Sequence, residues 1–135
     1  MKTAITSFII LLMLLCSCTS NLEEESTNPL KGTWKLLYAE WSRADTIVFV
    51  FPDSIPDGKA IKVYTDSLFF VIGAMNNVYA HSGPYTVDGD QSMEKIDMAT
   101  SESLEGSQVE IAFSVSNDTL SLKGSWFTEK WIRME

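Results

Sequence analysis

Residues 109–115 alternate between large apolar side chains and small or charged ones, and this period of two constrains the fold more than any other feature of the chain. Successive side chains of a β-strand point to opposite faces, so such a segment buries one face and exposes the other. Short segments of the same kind, separated by Gly, Pro, Asn and Asp, follow one another from Leu30 onward and leave little room for helix. The pattern therefore predicts an all-β domain of antiparallel strands.

We predict eight short strands in meander order. The Ser-Gly-Pro segment at residues 82–84 predicts a bend or bulge inside the fourth strand. Residues 42–59 contain an apolar stretch followed by Pro52 and Pro56, so we predict an excursion that re-enters the sheet and acts as a lid. The predicted strands cover residues 30–41, 61–65, 68–74, 79–87, 95–98, 109–115 and 120–122, and the last passes through Trp131 and Arg133.

Residues 1–17 have the composition of a secretory signal peptide. A lysine precedes residues 8–15, which form an apolar run shorter than the roughly 20 residues that span a bilayer. Leu15 and Ser17, three positions and one position before Cys18, resemble the lipobox of bacterial lipoproteins. The resemblance implies that the signal is removed and that Cys18 carries the lipid. The alternative is an ordinary secretory signal, and both interpretations place the protein outside the cytoplasm.

We predict that residues 18–29 form a lipidated acidic tether and that residues 30–135 form one domain. The tether contains a single large aliphatic side chain, Leu22, and three consecutive glutamates at residues 23–25. An acidic cluster shortly after a lipidated cysteine resembles the surface-export signal of Bacteroidetes lipoproteins. This resemblance implies a cell-envelope protein that is lipid-anchored in the outer membrane and exposed at the cell surface. The alternative is a solvated spacer.

The charge balance of the chain limits its partners. The sequence has 18 Asp and Glu against 10 Lys and Arg, a formal net charge of −8. Nucleic acids and anionic lipid headgroups are poor partners for such a surface because like charges repel. We therefore expect no nucleic-acid partner and expect the membrane to be contacted through the lipid anchor.

The two ends of the predicted domain carry a further pattern. A Gly-Thr-Trp triplet ending at Trp34 opens the first strand, and Trp131 and Arg133 lie in the last. Over residues 30–135 the chain resembles the lipocalin-like barrels of the calycin superfamily and, more narrowly, small lipocalin-like lipoproteins of Bacteroides whose function is uncharacterised. The resemblance implies an eight-stranded antiparallel up-and-down barrel. It also implies that Arg133 packs across Trp34 to close one end, which would make both residues structural.

An eight-stranded barrel is wide enough to be filled by side chains or to hold one small ligand. Tyr79 and Tyr85 flank His81, the one histidine of the chain, so His81 is a candidate polar anchor for a ligand; the alternative is a structural histidine. The sequence leaves open whether the aromatic candidates line a cavity or fill the interior. The candidate ligand-binding residues are Tyr38, Phe70, Tyr79, His81, Tyr85, Phe113 and Trp126.

Catalytic and metal-binding chemistry finds little support in the sequence. One histidine among scattered acids gives no metal-ligand cluster, and Ser82 beside His81 lacks a glycine elbow, so we expect no metal, no cofactor and no enzyme activity. Two functions remain, which are binding of a small hydrophobic molecule and docking of a filled barrel onto a neighbouring surface lipoprotein or receptor complex. The placement of four aromatic residues separates them, since they would line an opening in the first case and form an exposed patch in the second: Trp41, Phe49, Phe51 and Trp126.

Overall fold

A computed structural model describes residues 28–134 of the chain. The predictions on the signal peptide, on Cys18 and on the glutamates at residues 23–25 lie outside the described residues. Within the described range no helix is long and apolar enough to cross a membrane.

Ten antiparallel strands account for most of the described residues, and eight of them close into a barrel. Strand β10 pairs with β1 and completes the ring, which confirms the predicted eight-stranded antiparallel barrel and is compatible with a lipocalin-like fold. The two additional strands are β2, which pairs with β1, and β7, which pairs with β5. The strands are β1 (Gly32–Arg43), β2 (Thr46–Phe51), β3 (Lys59–Tyr64), β4 (Leu68–Ala74), β5 (Val78–Asp88), β6 (Gln91–Lys95), β7 (Met98–Ala99), β8 (Gln108–Ser116), β9 (Thr119–Lys123) and β10 (Phe127–Arg133).

Tight turns join neighbouring strands at the positions that tolerate a left-handed backbone. Gly89, between β5 and β6, has φ of 60°, and Asn117, between β8 and β9, has φ of 52°. Both lie in the gaps between predicted strands, where Gly, Asn and Asp separate the alternating segments. Ala44 and Asp45 connect β1 to β2 with φ of 47° and 61°, a pair of positive values typical of a type I′ hairpin. Neither residue is a glycine, which is why the sequence does not indicate this hairpin.

The prediction that residues 42–59 form a lid is wrong, because part of this segment is a strand of the sheet. Its first half belongs to the β1–β2 hairpin, with Trp41 opposite Phe49 and Ala39 opposite Phe51. Phe51 is buried in the core, so this segment extends the barrel wall instead of covering the opening. Residues 47–51 form a continuous apolar run, which is compatible with a strand, but the prolines that follow it favoured an excursion.

The fifth barrel strand is also displaced from its predicted position at residues 95–98. Strand β6 ends at Lys95, and the chain then leaves the sheet before the short strand β7. Gly83 allows this path because a Cβ atom at that position would collide with the carbonyl group of Lys95. The Asp97 amide donates to the carbonyl oxygen of Ser82 at 2.9 Å, which anchors the departing chain to β5.

One end of the barrel is packed with buried side chains, and we call it the closed end. Trp34 and Leu30 are fully buried there, and the Trp34 indole N–H donates to the carbonyl oxygen of Leu30 at 2.8 Å. The guanidinium carbon of Arg133 lies 4.1 Å from the centroid of the Trp34 ring, and its Nη1 donates to the Lys31 carbonyl at 2.9 Å. The closed end comprises Leu30, Trp34, Tyr64, Phe69, Tyr85, Phe113, Leu120 and Arg133.

Candidate functional site

The opposite end of the barrel contains a cavity of about 660 Å³. Trp41 lies at the far end of β1 from Trp34, and Phe127 lies at the far end of β10 from Arg133, so the cavity opens away from the closed end. Side chains of seven barrel strands form most of its largely apolar wall, and four further residues lie in the connections between strands, namely Ile96, Leu104, Ser107 and Trp126. The lining residues include Trp41, Lys62, Val71, Tyr79, His81, Glu94, Ile96, Leu104, Val109, Ile111, Trp126, Phe127, Glu129 and Trp131.

A buried ion pair forms part of the floor of the cavity. Lys62 Nζ lies 2.8 Å from Glu94 Oε1 and 3.1 Å from Glu94 Oε2, and both side chains are almost fully buried. The hydroxyl group of Tyr64 donates a further hydrogen bond to Glu94. The ammonium group also lies 5.2 Å from the ring centroid of Tyr64 and 5.5 Å from that of Phe69. This pair is therefore neutral as a unit and is held by the aromatic groups of the closed end.

A second glutamate, Glu129, faces the cavity without forming an ion pair to any described residue. The Trp131 indole N–H donates to Oε2 at 3.0 Å, and the Trp41 indole N–H donates to Oε1 at a longer 3.4 Å. Burial raises the pKa of the Glu129 carboxyl and repulsion from Glu94 acts in the same direction, while the charge of Lys62 and the two indole donors act in the opposite direction. The net shift is upward, so a cation placed beside this carboxyl group would favour its ionised form.

His81 is the third polar group of the cavity. Its Nδ1 atom is buried and has no hydrogen-bond partner among the described residues. Burial, together with repulsion from Lys62, lowers the pKa of His81 to about 4. The imidazole ring is therefore neutral at pH 7. It lies near the ring of Phe69, at 5.9 Å, and nearly parallel to that of Tyr79, at 6.4 Å.

Aromatic side chains form the rim of the cavity. Trp41 stacks on Phe49 of β2, with ring centroids 4.3 Å apart, so β2 extends the aromatic wall beyond β1. Trp126 contacts Phe127 edge to face at 4.8 Å and leaves 46% of its surface exposed at the opening. Leu104, in the 3-10 turn at Glu102–Leu104, lines the cavity from the loop that follows β7.

Three of the seven candidate ligand-binding residues line this cavity, and they are Tyr79, His81 and Trp126. Tyr85 and Phe113 are buried at the closed end, where the Tyr85 hydroxyl donates to the Thr65 carbonyl oxygen at 2.6 Å. These two side chains fill the interior and do not line the cavity.

Tyr38 and Phe70 lie outside the barrel, so the prediction that they line the interior is wrong. The register between β1 and β10 shifts between Leu36 and Tyr38, which turns Tyr38 outward, where it donates to Glu40 at 2.8 Å. In β4 the side chain of Phe69 is buried, whereas Phe70 is 43% exposed. Residues on both faces of β4 are apolar, so the sequence does not show which of the two phenylalanines points inward.

The sequence analysis missed the charged groups of the cavity, Lys62, Glu94 and Glu129. Each lies two residues from a buried apolar or aromatic side chain on the same strand or at its end, namely Tyr64, Ile96 and Trp131. The sequence could have indicated these residues, because a charged side chain two positions from a buried one on the same strand lies on the same inward face.

Two further concavities, of about 580 and 640 Å³, lie on the outer surface of the barrel. One is formed by β6, β8 and β9 and the other by β1 and the segment after β2. Neither contains the buried charged groups. Among the described residues no group of three or more His, Cys, Asp or Glu side chains is arranged to hold a metal ion.

Comparisons of the chain with protein-family models, with curated proteins and with solved structures found no match.

Proposed function

We propose that this protein binds one small, largely hydrophobic molecule inside the barrel and is a binding protein and not an enzyme. The observation that carries the proposal is the cavity of about 660 Å³ at one end of an otherwise packed barrel. Ligand sites of drug-sized molecules have volumes of about 300 to 1,000 Å³, with apolar walls and a few placed polar groups. The aromatic wall and the three polar groups of this cavity fit that description.

The four aromatic residues that distinguish binding from docking support this proposal. Trp41 and Trp126 line the cavity, Phe49 stacks on Trp41, and Phe51 is buried in the core. An interior packed solid would leave no space at these positions. Ligand uptake requires such aromatic side chains to lie at an opening, as Trp41 and Trp126 do.

Docking onto a neighbouring surface lipoprotein or receptor complex is the second candidate, and the outer face of β4 favours it. Leu68, Phe70 and Ile72 point outward and are each between 41% and 53% exposed. Met98 of β7 is also largely exposed. Exposed apolar patches of sufficient size mark interaction surfaces.

We also propose that the protein is a lipoprotein of the lipocalin-like type found in Bacteroidetes, anchored in the outer membrane through Cys18. The sequence resemblance at Leu15, Ser17 and Cys18 supports the anchor, and the closed barrel is compatible with the fold. In Cys18→Ala, processing and lipid attachment should fail. Metabolic labelling with an alkyne fatty acid measures this, and incorporation equal to that of the unchanged protein would refute the assignment.

Mass spectrometry of the protein purified from its own host tests the binding proposal. We expect a co-purifying molecule of a few hundred daltons that is released on denaturation. Val109→Trp, which extends a lining side chain into the cavity, should abolish co-purification, whereas Val48→Trp on exposed β2 should not. A bound molecule that is retained equally by both variants would place the ligand elsewhere and contradict the proposal.

A further inference from the structure

The charges that face the cavity do not balance. Lys62 is the single described cation of the lining, and Glu94 already neutralises it at 2.8 Å. Glu129 is left without a cationic partner among the described residues. An unpaired carboxylate in a water-poor environment is costly, and a positively charged group placed beside it removes that cost.

Glu129 retains room to accept a further hydrogen bond. A carboxylate has about four lone-pair sites, and the indole donors of Trp131 and Trp41 occupy one on each oxygen. The side chain keeps partial accessibility because it faces the cavity. A donor carried by a ligand can therefore reach the carboxylate, whereas an anionic ligand would meet a like charge.

The wall around Glu129 is suited to a cation as well. Trp41, Trp126, Trp131 and Tyr79 all line the same space. Aromatic faces attract ammonium groups through their quadrupole, and tryptophan does so most strongly. His81 is neutral at pH 7 and adds no repelling charge to the cavity.

We propose that the ligand is a compact hydrophobic amine, with its ammonium group bound to Glu129 and its apolar body against Trp41, Trp126 and Tyr79. This inference rests on the proposed ligand-binding function of the cavity and narrows it to one chemical class. The test must therefore distinguish an amine from a neutral or acidic ligand of the same size.

The test measures binding of matched compounds to the full-length protein in lipid nanodiscs by isothermal titration calorimetry, with empty nanodiscs subtracted. Phenyl, naphthyl and adamantyl compounds are each supplied as an amine, an alcohol and a carboxylic acid. We expect the amine of at least one apolar body to bind about tenfold or more tightly than its alcohol, because a charge-assisted hydrogen bond is stronger than a neutral one. The acid should bind most weakly.

Glu129→Gln tests the residue itself. The amide keeps the shape and one acceptor oxygen, so amine affinity should fall about tenfold or more while alcohol affinity changes by less than about threefold. Glu110→Gln removes the same charge from an exposed position on β8 and should leave every affinity unchanged. Thermal melting establishes that both variants fold, and the wild-type preference for amine over alcohol tests the inference even if Glu129→Gln does not.

The outcomes separate this inference from the function on which it rests. Equal binding of amine and alcohol, or preference for the acid, would overturn the amine assignment and leave the cavity as a hydrophobic binding site. Failure of all nine compounds to bind, with no co-purifying molecule from the host, would overturn the binding function and the inference with it.

Discussion

The two ends of this barrel are built by the same strands but are packed in opposite ways. At the closed end Trp34 is fully buried and is covered by Arg133 and by the chain at Leu30. At the open end Trp126 is 46% exposed and lines a cavity of about 660 Å³. Close packing supplies stability, whereas space next to polar groups supplies binding. The comparison indicates that close packing is concentrated at one end of the barrel, whereas the space on which the proposed ligand binding depends lies at the other.

The largest effect should come from removing a tryptophan at the closed end. Trp34→Ala should lower the free energy of unfolding by about 3 to 5 kcal/mol, because it leaves a cavity in a packed core. Trp126→Ala should lower it by less than about 1 kcal/mol, because that side chain is half exposed. Urea unfolding followed by circular dichroism measures both. Equal losses would show that the two ends do not differ in packing.

The next effect concerns the buried ion pair at the junction of the two ends. Lys62→Met should lower the free energy of unfolding by about 3 kcal/mol, because it leaves the Glu94 carboxylate buried without a cation. In the double variant Lys62→Met with Glu94→Gln, the amide still accepts from Tyr64 and no charge is stranded, so much of the loss should be recovered. Chemical denaturation of both variants provides the measurement. A double variant as unstable as the single one would contradict this account.

The third prediction concerns the pH dependence of the free energy of unfolding, which should report on His81 at the open end. The folded-state pKa of His81 is about 4 and its unfolded value is about 6.5. Between these two pH values the imidazole is protonated in the unfolded chain and neutral in the folded protein. The resulting stability is present above pH 6.5 and is lost as the pH falls towards 4, by about 1 to 3 kcal/mol.

Comparison with His81→Gln isolates this contribution. Burial raises the pKa of Glu129, which acts in the opposite direction by favouring the folded state at low pH, but Glu129 is present in both proteins. The melting temperature of the wild type should therefore fall more between pH 7 and pH 4.5 than that of His81→Gln. Parallel falls would show that His81 does not remain neutral in the folded protein.

The smallest effect should arise from the cation above Trp34. Arg133→Gln removes the guanidinium group that lies 4.1 Å from the indole centroid and should cost about 0.5 to 2 kcal/mol. Lys130→Gln removes an exposed positive charge from the same strand and should cost less than about 0.5 kcal/mol. Neither change should alter ligand affinity, which calorimetry measures. A loss of affinity in Arg133→Gln would show that the closed end contributes to binding.

The sequence predicted the elements whose two faces differ in polarity. In β8 the polar and small residues between Val109, Ile111 and Phe113 identified the inward face, and Ile111 and Phe113 are buried as that pattern requires. The turns at Gly89 and Asn117 were recognisable because few residue types adopt a positive φ at low cost. Where both faces are apolar, as in β4, the period of two carries no information about direction.

The sequence by itself determined an all-β chain of short antiparallel strands, because alternation and turn chemistry are local properties. Closure into a barrel was implied by the resemblance of residues 30–135 to lipocalin-like barrels and not by the alternation. The tertiary structure alone decided which residues face one another inside. The bulge between Leu36 and Tyr38 reverses the faces of β1. Closure of the barrel brings Lys62 to Glu94 and brings Trp41 of β1 to Glu129 of β10, 88 residues away in the sequence. Such contacts depend on register and closure, which the alternation of a single strand does not specify. The space left between them, and hence the proposed binding site, is a property of the closed barrel.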